Sequence, residues 1–585
     1  MTMKFSGMKH LLFGVSLLAL VLLAGWGIWG SGREGGERNE KEALFSLQYG
    51  QGTSKQRVKG FFSEGTLYFC LPGYVQSEEV RLQMGRQQLL LLETEEEGGE
   101  AVTLGNGDTL SGIVWGKSYR MEFRTEGKET EHAQVAFMRG SDIPTLRLVT
   151  ASGNMDHILS QKGNHESGYM QVVDAGGRTA CVAKVDGIAG RGNTSWDAEK
   201  KSFILKLGDE VDLFGMGAAK SWVLCANYYD GAYIRNQIGF ELATAGGIAY
   251  AGDSRFVELY INDEYMGLYQ VMEKIQTGKE RMDIGDKYLL EIDYRDRAAK
   301  EAAFVMLSND QPIVIHAPEA DRDEAGVQRF FEEFSRRMEE GEVPAEKMDM
   351  VSFAKMFVME DILQDMDFGY TSHYMYLDLE KEILYDGPVW DMDNTMGRGI
   401  AKEAEPLFVI DYDLNYNNLS RWYARLYGQE EFCRIAEEEY REHFRPMLAQ
   451  LAGGGVRERV QVIRASIDMD AKRFTGARSV FMENASLEEH VEYLEDYLTD
   501  KLAVMDACYT KDLAEKREMP EFPALERQKA DGEAEEQLEA ADGEMGITGL
   551  MMRYRFPFIL LVMCSSGVIL WYRCRPWQEG SGNGR

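Results

Sequence analysis

The chain has 585 residues, and 97 Asp and Glu against 64 Lys and Arg leave a formal charge of −33. That balance excludes a general nucleic-acid binder, because a phosphate backbone would be repelled. With 44% apolar residues, 11% aromatics and 12 prolines, global disorder and collagen-like repeats are excluded, and the length suits about four domains.

Residues 10–30 (HLLFGVSLLALVLLAGWGIWG) carry no acidic group. At about 1.5 Å per residue they can cross about 30 Å of hydrocarbon. Lys4 and Lys9 keep the tail 1–9 on the cytoplasmic side. An uncleaved anchor and a cleaved signal peptide both export the body of the chain. Trp26, Trp29 and the lack of a clean small-x-small site favour the anchor.

Residues 44–135 read as a small β-rich, sandwich-like domain. Short apolar runs alternate with Gly and charged turns, and Asn106-Gly107 is a hairpin signal. From 141 to 510 the text is α+β. A strand (PTLRLVT) leads to two strands around a Gly-rich turn (VAKVDGIAGRGNTSW and KKSFILKL). Helical text follows at SWVLCANYYDGAYIRNQIGFELATAGG, then a hairpin, RFVELYIN and YMGLYQVMEKI, joined through Asn262-Asp263-Glu264. Beyond about Ala325 helices dominate, interrupted by a hairpin in HYMYLDLEKEILYDGPVWDMD. Residues 511–550 form an acidic linker. Residues 556–572 (FPFILLVMCSSGVILWY) are long enough for a second span, and 573–585 form a tail. Five cysteines, Cys70, Cys181, Cys225, Cys433 and Cys508, are too widely spaced for a zinc ribbon and are expected to be mostly buried and reduced.

Several stretches carry chemistry. In GIAGRGNTSW the glycines let backbone N–H groups face an anion and Arg191 adds charge, while Lys200, Lys201 and Lys206 follow within seven residues. The same pattern also suits a solvated strand edge guarded by lysines. Alternation places Lys201 with Phe203 and Leu205 on one face and Lys206 on the other. Asp230, Arg235 and Asn236 are polar groups amid apolar periodicity: either Asp230 is a helix N-cap, with Arg235 exposed, or the group has a functional role. Glu273 stands at a strand end, where a surface role competes with pairing to a lysine or a ligand hydroxyl.

The strongest constellation is Asp365 to Gly397. GPVWDMDNTMG sets Asp391 and Asp393 two apart after an apolar strand, and their oxygens suit Mg²⁺ or Mn²⁺. Asp367 lies 24 positions earlier across one hairpin, so a base and metal ligands can meet as phosphoryl transfer requires. A solvated acidic turn is the competing reading. An EF-hand fails, because its fifth, sixth and twelfth positions from Asp391 are Thr395, Met396 and Lys402. Asp391, Asp393 and Thr395 also fit the D-x-D-x-T of haloacid-dehalogenase-type phosphatases, but they lie deep in the chain. A sugar-nucleotide transferase DxD fits locally, but no nucleotide-binding βαβ text precedes it.

Four segments, RGNTSW with KKSFILKL, SWVLCANYYDGAYIRN, VELYINDEYMGLYQVMEKI and GPVWDMDNTMG, occur in the order and spacing of the spore-coat protein H (CotH) kinase family, which the chain resembles from about Ile143 to Tyr509. The resemblance implies a two-lobed protein-kinase-like fold and transfer of phosphate from ATP to Ser or Thr of a protein, with Mg²⁺ or Mn²⁺. It implies that Arg191, Gly192 and Asn193 face the phosphates, and that Lys201 contacts them, with Lys206 in reserve. Glu273 would lie near the nucleotide, Asp367 would act as catalytic base, and Asp391 would bind metal with Asp393 in support. Where many members carry an Asn before the Tyr-x-Tyr strand, this chain reads Thr371-Ser372-His373-Tyr374. The expected protein is a membrane-anchored kinase with an extracytoplasmic body and a protein substrate. The alternative is a silent, tethered scaffold of envelope or spore-coat assembly.

Overall fold

The computed structural model describes residues 44–50, 55–94, 101–192, 194–398, 404–410, 412–476, 482, 485–510 and 513. The expected spans 10–30 and 556–572, and the acidic linker apart from Leu513, lie outside the described residues. Among the described residues no helix is long and apolar enough to cross a membrane.

The body opens with strands β1 (Thr145–Thr150), β2 (His165–Val173), β3 (Thr179–Arg191), β4 (Ser202–Asp212), β5 (Ala218–Cys225), β6 (Ser254–Ile261) and β7 (Glu264–Glu273). β5 pairs back onto β7, from Trp222 opposite Glu273 to Cys225 opposite Gln270, and β6 runs parallel to β1. The sheet therefore closes into a barrel. Period-2 alternation fills it with Phe203, Leu205 and Leu207, Trp222 and Leu224, Leu259 and Ile261, and Tyr269 and Val271. The alternate residues Val223, Cys225, Leu268 and Met272 face outward into the core of the helical lobe.

This double burial corrects one expectation. The sequence pattern predicts helix over residues 221–225, yet they form β5. A strand covered on both faces is a continuous apolar run with no visible alternation. Helix begins only at Arg235.

The helices of ten or more residues are α1 (Arg235–Ala245), α2 (Glu324–Glu339), α3 (Met350–Leu363), α4 (Asn418–Tyr427), α5 (Glu430–Glu439), α6 (Val456–Arg473) and α7 (Leu487–Cys508). Asp323, Asp349 and Asn417 cap α2, α3 and α4 with their side chains, and Ser486 with Glu489 closes a capping box on α7. Beside them lies a sheet of β8 (Tyr288–Ile292), β9 (Phe304–Met306), β10 (Pro312–Ala317), β11 (His373–Asp378) and β12 (Ile383–Asp386), in the order β9-β10-β8-β11-β12. The hairpins expected at Asn262-Asp263 and within 373–386 are both present.

Buried ions bolt the parts together. Lys200 Nζ stands 2.8 Å from Asp470 Oδ1 of α6, with both side chains fully buried. The same amine donates to the carbonyls of Ala226 and Leu268. Lys501 of α7 pairs with Asp361 of α3 at 3.2 Å, again fully buried.

In the N-terminal region, strands at Phe61–Ser63, Thr66–Leu71, Gln88–Thr94, Ala101–Gly105, Ser118–Thr125 and Glu131–Arg139 form one sheet. The strands Ser46–Tyr49, Gln56–Lys59 and Arg81–Gln83 instead continue the barrel's sheet, through Lys59 opposite Glu264. Their shared core includes Tyr260 and Tyr265 of the barrel and Met469 of α6. The region is thus grafted onto the body rather than standing as a separate sandwich. The turn at Gly107 (φ 90°) exists but closes no hairpin, since Ala101–Gly105 pairs back with Gln88–Thr94. Cys70, Cys181, Cys225, Cys433 and Cys508 are all free thiols, as expected.

Candidate active site

The Gly-rich turn follows β3. Gly192 sits at φ 94°, where a Cβ would meet Ser195 Oγ at 1.9 Å, so no larger residue fits. Arg191 lies over the Trp390 ring, 5.7 Å from its centroid, which brings the turn against the residue that precedes Asp391. Asn193 lies outside the described residues.

The lysines divide. Lys201 donates to the carbonyls of Trp196 and Ala198 and lies over the Trp196 ring, so its amine staples the Gly-rich turn to itself. Lys206, opposite Gly187 on β3 and Ser221 on β5, is exposed on the barrel's other face. Lys274, which follows β7 and is also exposed, lies near enough to Lys206 and Arg191 for their charges to act on it. Partial burial, then Lys206 and Arg191, hold the Lys274 amine below the ordinary lysine value.

Glu273 closes a joint. Its Oε1 stands 2.8 Å from Arg281 Nη1, and its Oε2 accepts the Asp253 N–H at 2.8 Å. Both oxygens are occupied, so this carboxylate braces the strand end rather than facing a ligand.

Across the cleft, α3 ends at Gln364 in a left-handed conformation (φ 47°), which throws the chain into the turn Asp365–Thr371. Within it the Asp367 N–H donates to Asp365 Oδ1 at 3.0 Å. Tyr412 and Asn417 hold the carbonyls of Met366 and Phe368 at 2.6 and 2.8 Å. Asp391 is also left-handed (φ 58°, ψ 45°), a strained position that carboxamides and carboxylates tolerate best. It leads into a single 3₁₀ turn, Met392–Asn394.

Two side chains that sequence reasoning did not assign to the site hold that turn. Asn236 of α1 accepts the Met392 N–H at 2.9 Å. Arg235 donates to the Thr395 carbonyl at 3.1 Å and pairs with Asp230. The expectation of an exposed Arg235 is corrected, since it is 3% exposed. The signal was present as polar residues amid an apolar helix, but nothing local says which distant loop they hold.

The two carboxylate turns meet. Asn394 Nδ2 donates to Asp367 Oδ2 at 3.4 Å, and the Met366 N–H donates to the Asn394 carbonyl at 3.3 Å. Arg398 braces the turn through the Asp393 carbonyl at 2.8 Å and lies 3.5 Å from Asp393 Oδ1. Burial raises Asp367, with Asp393 adding to it and Asn394 opposing. Burial also raises Asp391 against the pull of Arg191, with Asp367 and Glu291 adding. Asp393 is pushed up to about 6, chiefly by burial. Carboxylates crowded at one place gain affinity for a cation as they gain affinity for a proton.

That donor set fits a hard divalent cation. Among the described residues no group of three or more His, Cys, Asp or Glu is placed to hold a metal alone. Mg²⁺ is commonly held by one or two carboxylates completed by substrate phosphates, so a full protein cage is not required.

Of the residues singled out from the sequence, the fold brings Asp367 against the Asp391–Asn394 turn and Arg191, next to Gly192, over Trp390 beside it, while Lys206 stays exposed on the barrel. The fold turns Lys201 and Glu273 to structural bonds. No curated protein matches the chain. A family model described as CotH kinase protein matches residues 188–505, from the strand that leads into the Gly-rich turn to the last turn of α7. With more than half of its 585 residues matched and the cleft assembled from the motifs of that span, the chain belongs to the CotH kinase protein family.

Proposed function

We propose that the chain transfers the γ-phosphoryl group of ATP to a Ser or Thr hydroxyl of an exported protein, tethered to the cell membrane by the apolar segments 10–30 and 556–572. The observation that carries this reading is the meeting of the Asp367 turn with Asp391-Met392-Asp393-Asn394, under Arg191 of the Gly-rich turn. Asp367 takes the proton of the acceptor hydroxyl as its oxygen bonds to phosphorus. The bond to the bridging oxygen breaks, and ADP leaves. Asn394 aligns the Asp367 carboxylate for that task. Asp391, supported by Asp393, would hold Mg²⁺ or Mn²⁺, which when bound spreads the phosphate charge. Lys206, with Arg191 and Lys274, supplies the positive wall for the triphosphate. Lys201 acts one step back by fixing the shape of the Gly-rich turn.

One observation favours a second reading, a silent tethered scaffold: the amine of Lys201 is spent on the carbonyls of Trp196 and Ala198. Radiolabelled ATP transfer by the full chain, with Mg²⁺ or Mn²⁺, separates the two. The kinase reading expects label on a protein, abolished by both Asp367→Ala and Asp391→Ala. No nucleotide binding at millimolar ATP would favour the scaffold.

A further inference from the structure

Beneath the turn that carries Asp367 lies a buried cluster of ionisable groups that phosphoryl transfer does not use. His373, the first residue of β11, is 5% exposed, and its Nε2 stands 2.7 Å from Asp386 Oδ1. Asp386 closes β12. It also accepts the Tyr423 hydroxyl of α4 and the Gly387 N–H. Glu360 of α3 is 4% exposed, and its Oε2 has no hydrogen-bond partner among the described residues. Phe368 packs edge-on against the imidazole, with ring centroids 5.5 Å apart at 88°. Asp365 is also buried, and it receives the Asp367 N–H.

Three buried acids and one buried imidazole thus lie beneath the same turn. A buried carboxylate survives ionised only if a cation meets it closely. The imidazole in contact with Asp386 fills that need, and the same ring supports Phe368, which sits one residue after Asp367. The turn is therefore built on the ion pair as on a footing.

We propose that His373 is a positioning residue: protonated and clamped on Asp386, it fixes the turn that presents Asp367, and its hold weakens when it gives up its proton. This deepens the reading of Asp367 as base, but it can be tested without turnover. Burial opposes the charge on His373, and Asp386, then Glu360, outweigh that opposition, holding the imidazole above its ordinary value. A raised histidine contributes stability that is fully present below its unfolded value and is lost as pH rises through its folded value. The groups facing it are Glu360 from α3, Asp386 from β12 with the Tyr423 hydroxyl of α4 behind it, and Phe368 from the turn; Asp365 of the turn acts on Glu360. Burial pushes Glu360 up to about 7, and burial, then Asp367 and Glu360, raise Asp365 as well.

The test is amide hydrogen exchange on the full chain, comparing peptides from 365–372 with β5 as internal control. His373→Ala is expected to speed exchange in the turn by about tenfold or more and to leave β5 unchanged. His373→Gln, whose amide can still donate to Asp386 but carries no charge, is expected to restore part of the protection and to remove its dependence on pH. Equal exchange in the wild type and His373→Ala would overturn the proposal. Should His373→Ala fail to fold, the unaltered chain decides. A His373 ring signal that titrates above the ordinary value of about 6.5 supports the clamp, and titration at or below it overturns it. If the chain phosphorylates, His373→Ala lowers kcat by about tenfold with little change in KM for ATP. A wild-type chain without transfer removes the kinase reading and leaves the exchange result standing.

Discussion

At the joint between barrel and helical lobe, Asp470 meets Lys200 at 2.8 Å with both side chains sealed from water. In the cleft, Asp367 meets the amide of Asn394 at 3.4 Å, while Asp391 and Asp393 crowd beside it. The same residue type is neutralised in one region and left strained in the other. Desolvating an ion is costly, so a buried carboxylate that serves the fold comes with its own cation. A cleft that gathers carboxylates with too little positive charge lowers the stability of the empty protein, and the compensation is a cation and phosphates arriving from outside.

Breaking the joint should have the largest effect. Lys200→Met leaves Asp470 buried without its closest cation, and the expected loss is about 3–5 kcal/mol in denaturant unfolding. Adding Asp470→Leu should recover much of it. Unchanged stability in the single variant would erase the distinction between the two regions.

A lone buried acid outside the cleft sharpens the comparison. Glu258 of β6 accepts the Ser466 hydroxyl through one oxygen at 2.8 Å, and its other oxygen has no hydrogen-bond partner among the described residues. Burial pushes it up to about 8, so the folded chain holds a proton that the unfolded chain releases near 4.5. Stability should therefore fall as pH rises between those two values. Glu258→Gln should flatten that fall, with a gain of about 2 kcal/mol at pH 8 that vanishes towards pH 4.5. Parallel pH profiles for the two proteins would contradict it.

The smallest effect separates two neighbouring lysines. Lys206→Met should weaken ATP binding about tenfold while leaving the melting temperature unchanged, since the side chain is exposed. Lys201→Met should lower the melting temperature first, because its amine joins the Trp196 and Ala198 carbonyls. Calorimetry of ATP binding and thermal melts on both variants would read the split.

Much of the cleft was legible because its parts are local. The Gly-rich turn, the paired Asp391 and Asp393, and the hairpin that returns from Asp367 each announce themselves within a dozen residues. What stayed hidden was long-range or two-sided. Asn236 and Arg235 reach a turn more than 150 positions away, and the partner of Lys200 lies on α6. β5 read as helix because neighbours cover both of its faces. Strand alternation did separate Lys201 from Lys206, but it could not say which face of the barrel would border the cleft. Glu273 looked available because Arg281, which occupies it, sits beyond the strand in a loop.

The most direct measurement is the melting temperature of the Asp391→Asn chain, with and without ATP and Mn²⁺. Without nucleotide the variant should melt at or above the wild type, because a crowded charge has been removed. ATP with Mn²⁺ should raise the wild-type melting temperature and leave that of the variant unmoved. A variant that melts lower when empty, and gains as much from ATP and Mn²⁺ as the wild type, would make Asp391 a structural residue and contradict the account.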